Sequence, residues 1–358
     1  MSTGRGLRGG ETQALYLMEE LAGRGVGQAV VARAGQPLAQ RAGALGLEVL
    51  PVGGRLGAAA ALRSPGGDGK TVAHAHDGHA HTALWLANLG GAGLPFVASR
   101  RVHRAPAGAG WAYGKYRHPA LRSLLCVSEA VAALHRERLG QKVPVRVVRS
   151  AVAAPAAGEG VDLCAELGLP PGTPLVGTVA ALAPEKDGVT FVKTCALVAR
   201  ERPGVHFVHV GGGSEAAQRE LLVAVEASGL GARFHALGFR ADAAALIGGL
   251  DVFLFTSRWE GLGGAVLQAQ VRRVPVVSTA AGGLAEVVRD GVTGRTGPVG
   301  APEGLAKAVL GLLADDAAAA RLTAAAYEQA AGYSVGAMTD GTLAAYAAAL
   351  ASGASGAT

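Results

Sequence analysis

Three glycine-bearing segments and one lysine in the second half of the chain have the residue types that a phosphate-bearing ligand needs. Gly211-Gly212-Gly213 follows directly on an apolar run at 206–210. Glycines at the carboxyl end of a parallel strand let the backbone approach a ring or a phosphate closely, and they also serve simply as conformational devices at a bend. Glu260-Gly261-Leu262-Gly263-Gly264-Ala265 follows a second apolar run at 252–256 and opens a helical pattern. Small residues there leave amide N–H groups uncovered at a helix N-terminus, which is a ready anion site. A diphosphate would rest against Gly263, Gly264 and Ala265, with Glu260 turned to sugar hydroxyls. Lys186 stands between Glu185 and Asp187 in the stretch 180–188. A surface ion pair is its plain reading. Its chemical one is to neutralise a departing diphosphate, and charge stabilisation of that kind commonly contributes most to such a transfer.

The first half offers different chemistry. His74, His76, His79 and His81 surround Asp77 within eight residues, a donor set that suits zinc. A binuclear hydrolase signature His-x-His-x-Asp-His would need the Asp one position later, so spacing favours a strand end where Asp77 or His79 orients an acceptor hydroxyl. Between Asp77 and Glu129 no acidic residue occurs, while Arg100, Arg101, Arg104, Lys115, Arg117 and Arg122 do, interleaved with Trp111, Tyr113 and Tyr116. That segment reads as a basic face, either merely solvated or turned to a phosphorylated or lipid-linked acceptor at an anionic membrane surface.

The elements that must position these residues alternate short β-branched runs with longer Ala/Leu-rich helical stretches, the pattern of parallel βαβ units. At 358 residues the chain is long enough for two such domains. Half its residues are hydrophobic but only 4% are aromatic, which suits close-packed helices on sheets. In the first half the expected strands lie at 28–32, 48–51, 71–74, 96–99, 124–127 and 145–148, with helices at 13–24 and from Ser128 to about 138. The piece 64–69 reads as loop. The Ala/Pro/Gly-rich stretch 150–160 reads as a linker. Beyond it, strands are expected at 175–179, 206–210, 233–236, 252–256 and 275–278. Helices are expected at 188–201, 215–228, 265–271 and 341–350.

Cys126, Cys164 and Cys195 stand singly in apolar runs and read as buried, reduced thiols. A net charge of +6 favours anionic partners without choosing among them. No apolar stretch is long enough to span a bilayer, and residues 1–8 lack the core of a secretion signal. The expected location is cytoplasmic, at most peripheral to a membrane.

Taken together, the segments 176–188, 208–215, 237–239, 255–270, 275–278 and 282–294 resemble the retaining family 4 glycosyltransferases. In the first half, 4–13 and 97–102 are similar to one subgroup of that family. The resemblance implies a GT-B fold, two Rossmann-like domains with parallel sheets facing a central cleft. Residues 1–153 would form the acceptor side, with a C-terminal helix at 334–358 packing back on it, and 154–333 would bind the donor. It further implies sugar transfer from a nucleotide diphosphate to an acceptor hydroxyl with retention, in cell-surface glycan or glycolipid synthesis. The partners would be a nucleotide sugar and a glycan or lipid-linked acceptor, with no nucleic acid, no metal and no cofactor beyond the donor itself. Gly9 and Gly10 would lie in the first βα loop near the phosphate, and Lys186 would bind the diphosphate. Glu260 would meet the sugar, Gly263 and Gly264 the phosphate, and Gly211, Gly212 and Gly238 would also line the donor.

The sequence departs from the family pattern at three points. Gln268 stands where the family has a ribose-binding Glu, and a neutral amide holds a diol less strongly. Ala181 stands where an Arg often precedes the lysine, leaving Arg100 or Arg101 as candidate substitutes. Only Met1, Ser2 and Thr3 precede the segment that resembles the first strand's loop, so the first strand of the N-terminal domain is expected to be missing. The alternatives are a metal-dependent hydrolase built on His74–His81 and a non-catalytic GT-B protein that binds nucleotide or glycan.

Overall fold

The computed structural model describes residues 1–2, 9–62, 70–103, 111–156 and 160–354. Thr3, the segment 4–8, the glycine-rich piece 64–69, Arg104 and the side chain of Trp111, all considered above, lie outside the described residues. The chain divides into two compact units, one of Met1–Ala151 with Tyr333–Thr358 and the other of Val152–Gly332.

The second unit is a six-stranded parallel sheet. Its strands are β7 (Leu175–Val179), β8 (His206–Val210), β9 (Phe234–Gly238), β10 (Val252–Phe255), β11 (Val276–Thr279) and β12 (Arg295–Gly297), in the spatial order β12-β11-β10-β7-β8-β9. The strands β7, β8 and β10 are almost wholly buried and apolar except for Thr178, His206 and His209, as suits parallel strands covered on both faces. The helix Gly188–Glu201 covers one face with Phe191, Val192, Cys195, Val198 and Ala199, an apolar stripe at helical spacing. Its ends and those of the helix Glu215–Ser228 follow local chemistry. Asp187 caps the first, Ser214 caps the second, and Gly229 in a left-handed conformation closes the second.

In the first unit the parallel strands β3 (Ala73–Ala75), β4 (Phe96–Arg100), β5 (Leu121–Cys126) and β6 (Val145–Val147) form one sheet, and β1 (Ala29–Arg33) pairs with β2 (Glu48–Val52) in another. The helix Gly9–Gly23 precedes β1. Among the described residues no strand precedes that helix, but Met1 and Ser2 lie between the two sheets. Ser2 N donates to Val31 O at 3.2 Å, the Met1 amino group donates to His74 O at 2.8 Å, and His76 N donates to Met1 O at 3.0 Å. Two residues thus bridge the place of the first strand, which the sequence was expected to lack.

The last helix runs over Val335–Ala354, starting six residues before the 341 read from the apolar pattern and one after the 334 that the resemblance implied. Met338 packs with Leu17 and Leu21, and Ala345 and Ala349 with Val97 and Leu125; this burial of small residues overrides the weak helix preference of Gly336 and Gly341. No helix among the described residues is long and apolar enough to cross a membrane.

Candidate functional site

In the second unit β7, the first strand in sequence, lies beside β10, the fourth. The chain leaves these neighbours in opposite directions along the sheet, so the loops at their carboxyl ends part and leave a crevice, the usual place for a ligand in an open α/β sheet. The loop after β7 carries Lys186 and the loop after β10 carries Glu260.

The two meet. Lys186 Nζ donates to Glu260 Oε2, and the lysine head lies 5.2 Å from the centre of the Phe255 ring. Their side chains are only 22% and 16% exposed, so this is not one of the freely solvated pairs that contribute little. The second Glu260 oxygen accepts from Gly261 N at 3.3 Å. Glu260 O accepts from Gly283 N at 2.9 Å, which fixes the carboxylate's backbone from the loop after β11. Lys186 therefore does not pair with Glu185 or Asp187, its neighbours in sequence.

Just beyond, the helix Gly264–Val271 begins with no side-chain cap. Gly263 occupies the N-cap with φ 97° and ψ 61°, and a β-carbon there would stand 2.5 Å from Leu284; a non-glycine residue would be both strained and crowded. Gly264 is exposed with open space around it, and Ala265 follows half-buried. The amides of this first turn have no side-chain cap, and they are the donors that the sequence reading assigned to a diphosphate. Gln268 lies one turn further on, where its Oε1 accepts from Arg272 four residues along the helix.

Gly211, Gly212 and Gly238 gather at the neighbouring strand ends. Gly211 N donates to Gly238 O at 2.7 Å. Gly211 has φ 146°, and a β-carbon on it would come within 1.9 Å of Ala180 O. Gly212 lies against Phe239, which is 78% exposed. The requirement for glycine at Gly211 thus comes from the loop after β7 packing on it, not from a ligand.

The first unit assigns several candidates to structural work. Gly9 and Gly10 are not loop residues; they form the first turn of the helix Gly9–Gly23. Asp77 caps the helix Gly78–Leu89, accepting from His79 N and Ala80 N at 2.8 Å each, and it accepts from Ser2 Oγ at 2.9 Å. The His79 side chain is exposed at that helix start. The other imidazoles go to separate partners. His74 bonds Tyr346 Oη and Ser99 Oγ at 2.7 and 2.8 Å, and stacks on His76. His81 turns away into the core to bond Lys115 O at 3.2 Å. Burial holds His74 well below the usual histidine range and pushes His81 down to about 3. Among the described residues no three metal-type ligands converge.

Arg100 donates to His135 Nε2 at 3.1 Å, and Arg101 donates to His76 O at 3.1 Å. Burial lowers Arg101 to about 10. Tyr116, expected at an interface, is instead 4% exposed, with Lys115 and Arg100 over its ring; the cations of this segment shield an aromatic core residue. Cys126 and Cys195 are buried and free, whereas Cys164, also free, is half-buried.

Two contributors escaped the sequence reading. Thr256 and Arg258, both in the loop after β10, bond the loop of Lys186. A basic residue two places before Glu260 was the available signal.

Parallel sheets of this order define a doubly wound α/β protein, and the solved structures that match nearly the whole chain give it the GT-B fold. HepE of Anabaena in complex with UDP aligns with a TM-score of 0.82 at 20% identity, covering 97% of this chain and 98% of that one. Sucrose-phosphate synthase of Thermosynechococcus elongatus aligns at 0.78 and 17%, covering 98% and 100%. Such identities show a common fold. Residues 173–315 match the family described as glycosyl transferases group 1, and this segment holds Lys186, Glu260 and the helix Gly264–Val271. The chain is 36% identical over 139 residues to a 2-deoxystreptamine N-acetyl-D-glucosaminyltransferase of Streptomyces fradiae, covering 38% of this chain and 32% of that protein. It is 33% identical over 116 residues to the lipopolysaccharide core biosynthesis glycosyltransferase LpsE of Rhizobium meliloti, covering 32% and 34%. The match spans about a third of the length of these curated relatives.

Proposed function

We propose that the protein is a glycosyltransferase that moves a sugar from a nucleoside diphosphate to an acceptor hydroxyl with retention of anomeric configuration. The observation that carries this reading is the contact of Lys186 with Glu260 beside the uncapped start of the helix Gly264–Val271. In the structure each charge neutralises the other. A bound donor would exchange partners. Its diphosphate would take Lys186 and the amides of Gly264 and Ala265, and the released Glu260 would accept from the sugar hydroxyls. Lys186 and the helix N-terminus then stabilise the charge that grows on the departing diphosphate as the bond to the anomeric carbon breaks. We assign the reaction no cofactor, because these groups supply the positive charge themselves.

The relatives named for 2-deoxystreptamine and lipopolysaccharide core glycosyl transfer, and a net charge of +6, favour a glycan or lipid-linked acceptor held by the first unit, with the exposed His79 at the start of the helix Gly78–Leu89 that Asp77 caps. A second reading, nucleotide binding without turnover, draws on Gln268, whose amide oxygen is turned to Arg272. Calorimetric titration with a panel of nucleoside diphosphates, UDP first, followed by hydrolysis of the matching sugar donors, separates the two. The transferase reading expects both binding and turnover, with NMR of the product reporting the anomeric configuration. A folded protein that binds no nucleoside diphosphate refutes both readings.

A further inference from the structure

The segment that carries Lys186 is laced to the loop after β10. Glu185 O accepts from Arg258 N at 2.8 Å. Lys186 O and Asp187 O both accept from Thr256 Oγ1, at 3.2 and 3.1 Å. Asp187, directly after Lys186, adopts a left-handed conformation, φ 51° and ψ 58°, which is unfavourable for a residue with a β-carbon. Its carboxylate is 3% exposed. It accepts from Thr190 N at 3.2 Å, Thr190 Oγ1 at 2.8 Å and Arg258 Nε at 2.9 Å. The Arg258 side chain itself stays 54% exposed.

A buried carboxylate that loses its counter-charge is strongly destabilised. Asp187 deprived of Arg258 would swing towards water, and its turn would relax into a commoner backbone conformation. Lys186, one residue upstream, would move with it.

We infer that Arg258 is a positioning residue for Lys186, acting through the Asp187 carboxylate to keep the turn that sets the lysine beside Glu260. This rests on reading Lys186 as the cation for the diphosphate. An exposed guanidinium in this loop could instead touch the donor directly, and coupling distinguishes the two roles. If Arg258 acts through Asp187, its removal matters only while Asp187 is charged.

The test compares Arg258→Ala, Asp187→Asn, the double variant and Arg258→Lys in the full chain. Three readouts apply: UDP affinity by calorimetry, donor turnover, and the acetylation rate of Lys186 followed by mass spectrometry without nucleotide. Arg258→Ala should raise Lys186 acetylation fivefold or more and lower kcat at least tenfold, and Arg258→Lys should restore most of both. In the Asp187→Asn background, Arg258→Ala should change each readout less than twofold. An equal loss in both backgrounds, or unchanged Lys186 acetylation on removing Arg258, overturns the inference. Should Arg258→Ala not fold, Arg258→Gln, which removes the charge but keeps most of the bulk, carries the same comparison in the two backgrounds. The acetylation readout needs no enzymatic activity, so a wild-type protein that binds no nucleotide refutes the transferase reading while leaving the positioning role decided by the lysine chemistry.

Discussion

Two glycines, Gly211 and Gly264, should respond oppositely to alanine, and the contrast tests where the diphosphate sits. Gly264 is the first residue of its helix, in open space and without positive φ. Alanine is the better helix former by up to about 1 kcal/mol, so Gly264→Ala should leave stability unchanged or slightly raised. Side chains on a helix tilt towards its N-terminus, so the new methyl group would stand over the amides assigned to the diphosphate. UDP affinity should fall at least tenfold, about 1.4 kcal/mol. Gly211 has φ 146°, and an added β-carbon would lie 1.9 Å from Ala180 O. Backbone strain and overpacking together place Gly211→Ala at about 2–6 kcal/mol of destabilisation, a large share of the ~5–15 kcal/mol that holds a domain. Urea unfolding followed by circular dichroism gives the stabilities, and calorimetry with UDP gives the affinities. Wild-type UDP binding by Gly264→Ala would refute the phosphate assignment. Wild-type stability of Gly211→Ala would refute the packing argument.

Four further outcomes are expected. Lys186→Met keeps an apolar contact with Phe255 but removes the cation, and should slow transfer by about 2–4 kcal/mol of barrier; near-normal turnover in a folded variant contradicts its role. Gln268→Glu should tighten nucleotide binding by about 1 kcal/mol, and an unchanged affinity by calorimetry would leave residue 268 to Arg272 alone. His81 has a folded-state value of about 3 against 6.5 when exposed, so its neutral form stabilises the first unit fully above pH 6.5. That contribution is lost as pH falls towards 3. Between pH 7 and 5 the wild type should lose about 2 kcal/mol that His81→Phe retains, and equal pH slopes in urea titrations would rule this out. Finally, amide exchange should be faster in the two-stranded sheet at Val30–Ala32 than at Val176–Thr178 in the middle of six strands; equal protection would show that the two-residue bridge at Met1 and Ser2 holds its sheet as firmly as a full strand.

The fold was legible in the sequence where local chemistry and burial agree. Strands β7 and β8 and the helices Gly188–Glu201 and Glu215–Ser228 lie where their apolar runs and caps placed them. It was less legible at β5, which begins at Leu121 although Arg122 interrupts the apolar pattern, and at the last helix, whose start depends on contacts distant in sequence. The histidine cluster misleads for a related reason. A strand's two-residue period stacks His74 on His76, whereas the helix that begins at Gly78 turns His81 towards the core. Closeness in sequence therefore does not become a common centre.

The candidate site shows the same division more sharply. Each loop after β7 and β10 announced itself through its glycines or its charge, but their meeting did not. Lys186 and Glu260 are 74 positions apart, and they touch only because the order of strands places β10 beside β7. A sequence displays the ends of strands without displaying which of them are neighbours. Arg258 was hidden one level deeper. In a loop it reads as a solvated cation, and its partner Asp187 reads as another exposed acid beside Lys186. Asp187 becomes a buried carboxylate needing that cation only once its backbone has entered the left-handed region and begun the helix Gly188–Glu201. The residues that do chemistry could thus be proposed from their types, whereas the residues that hold them in place became visible only with the register of the sheet.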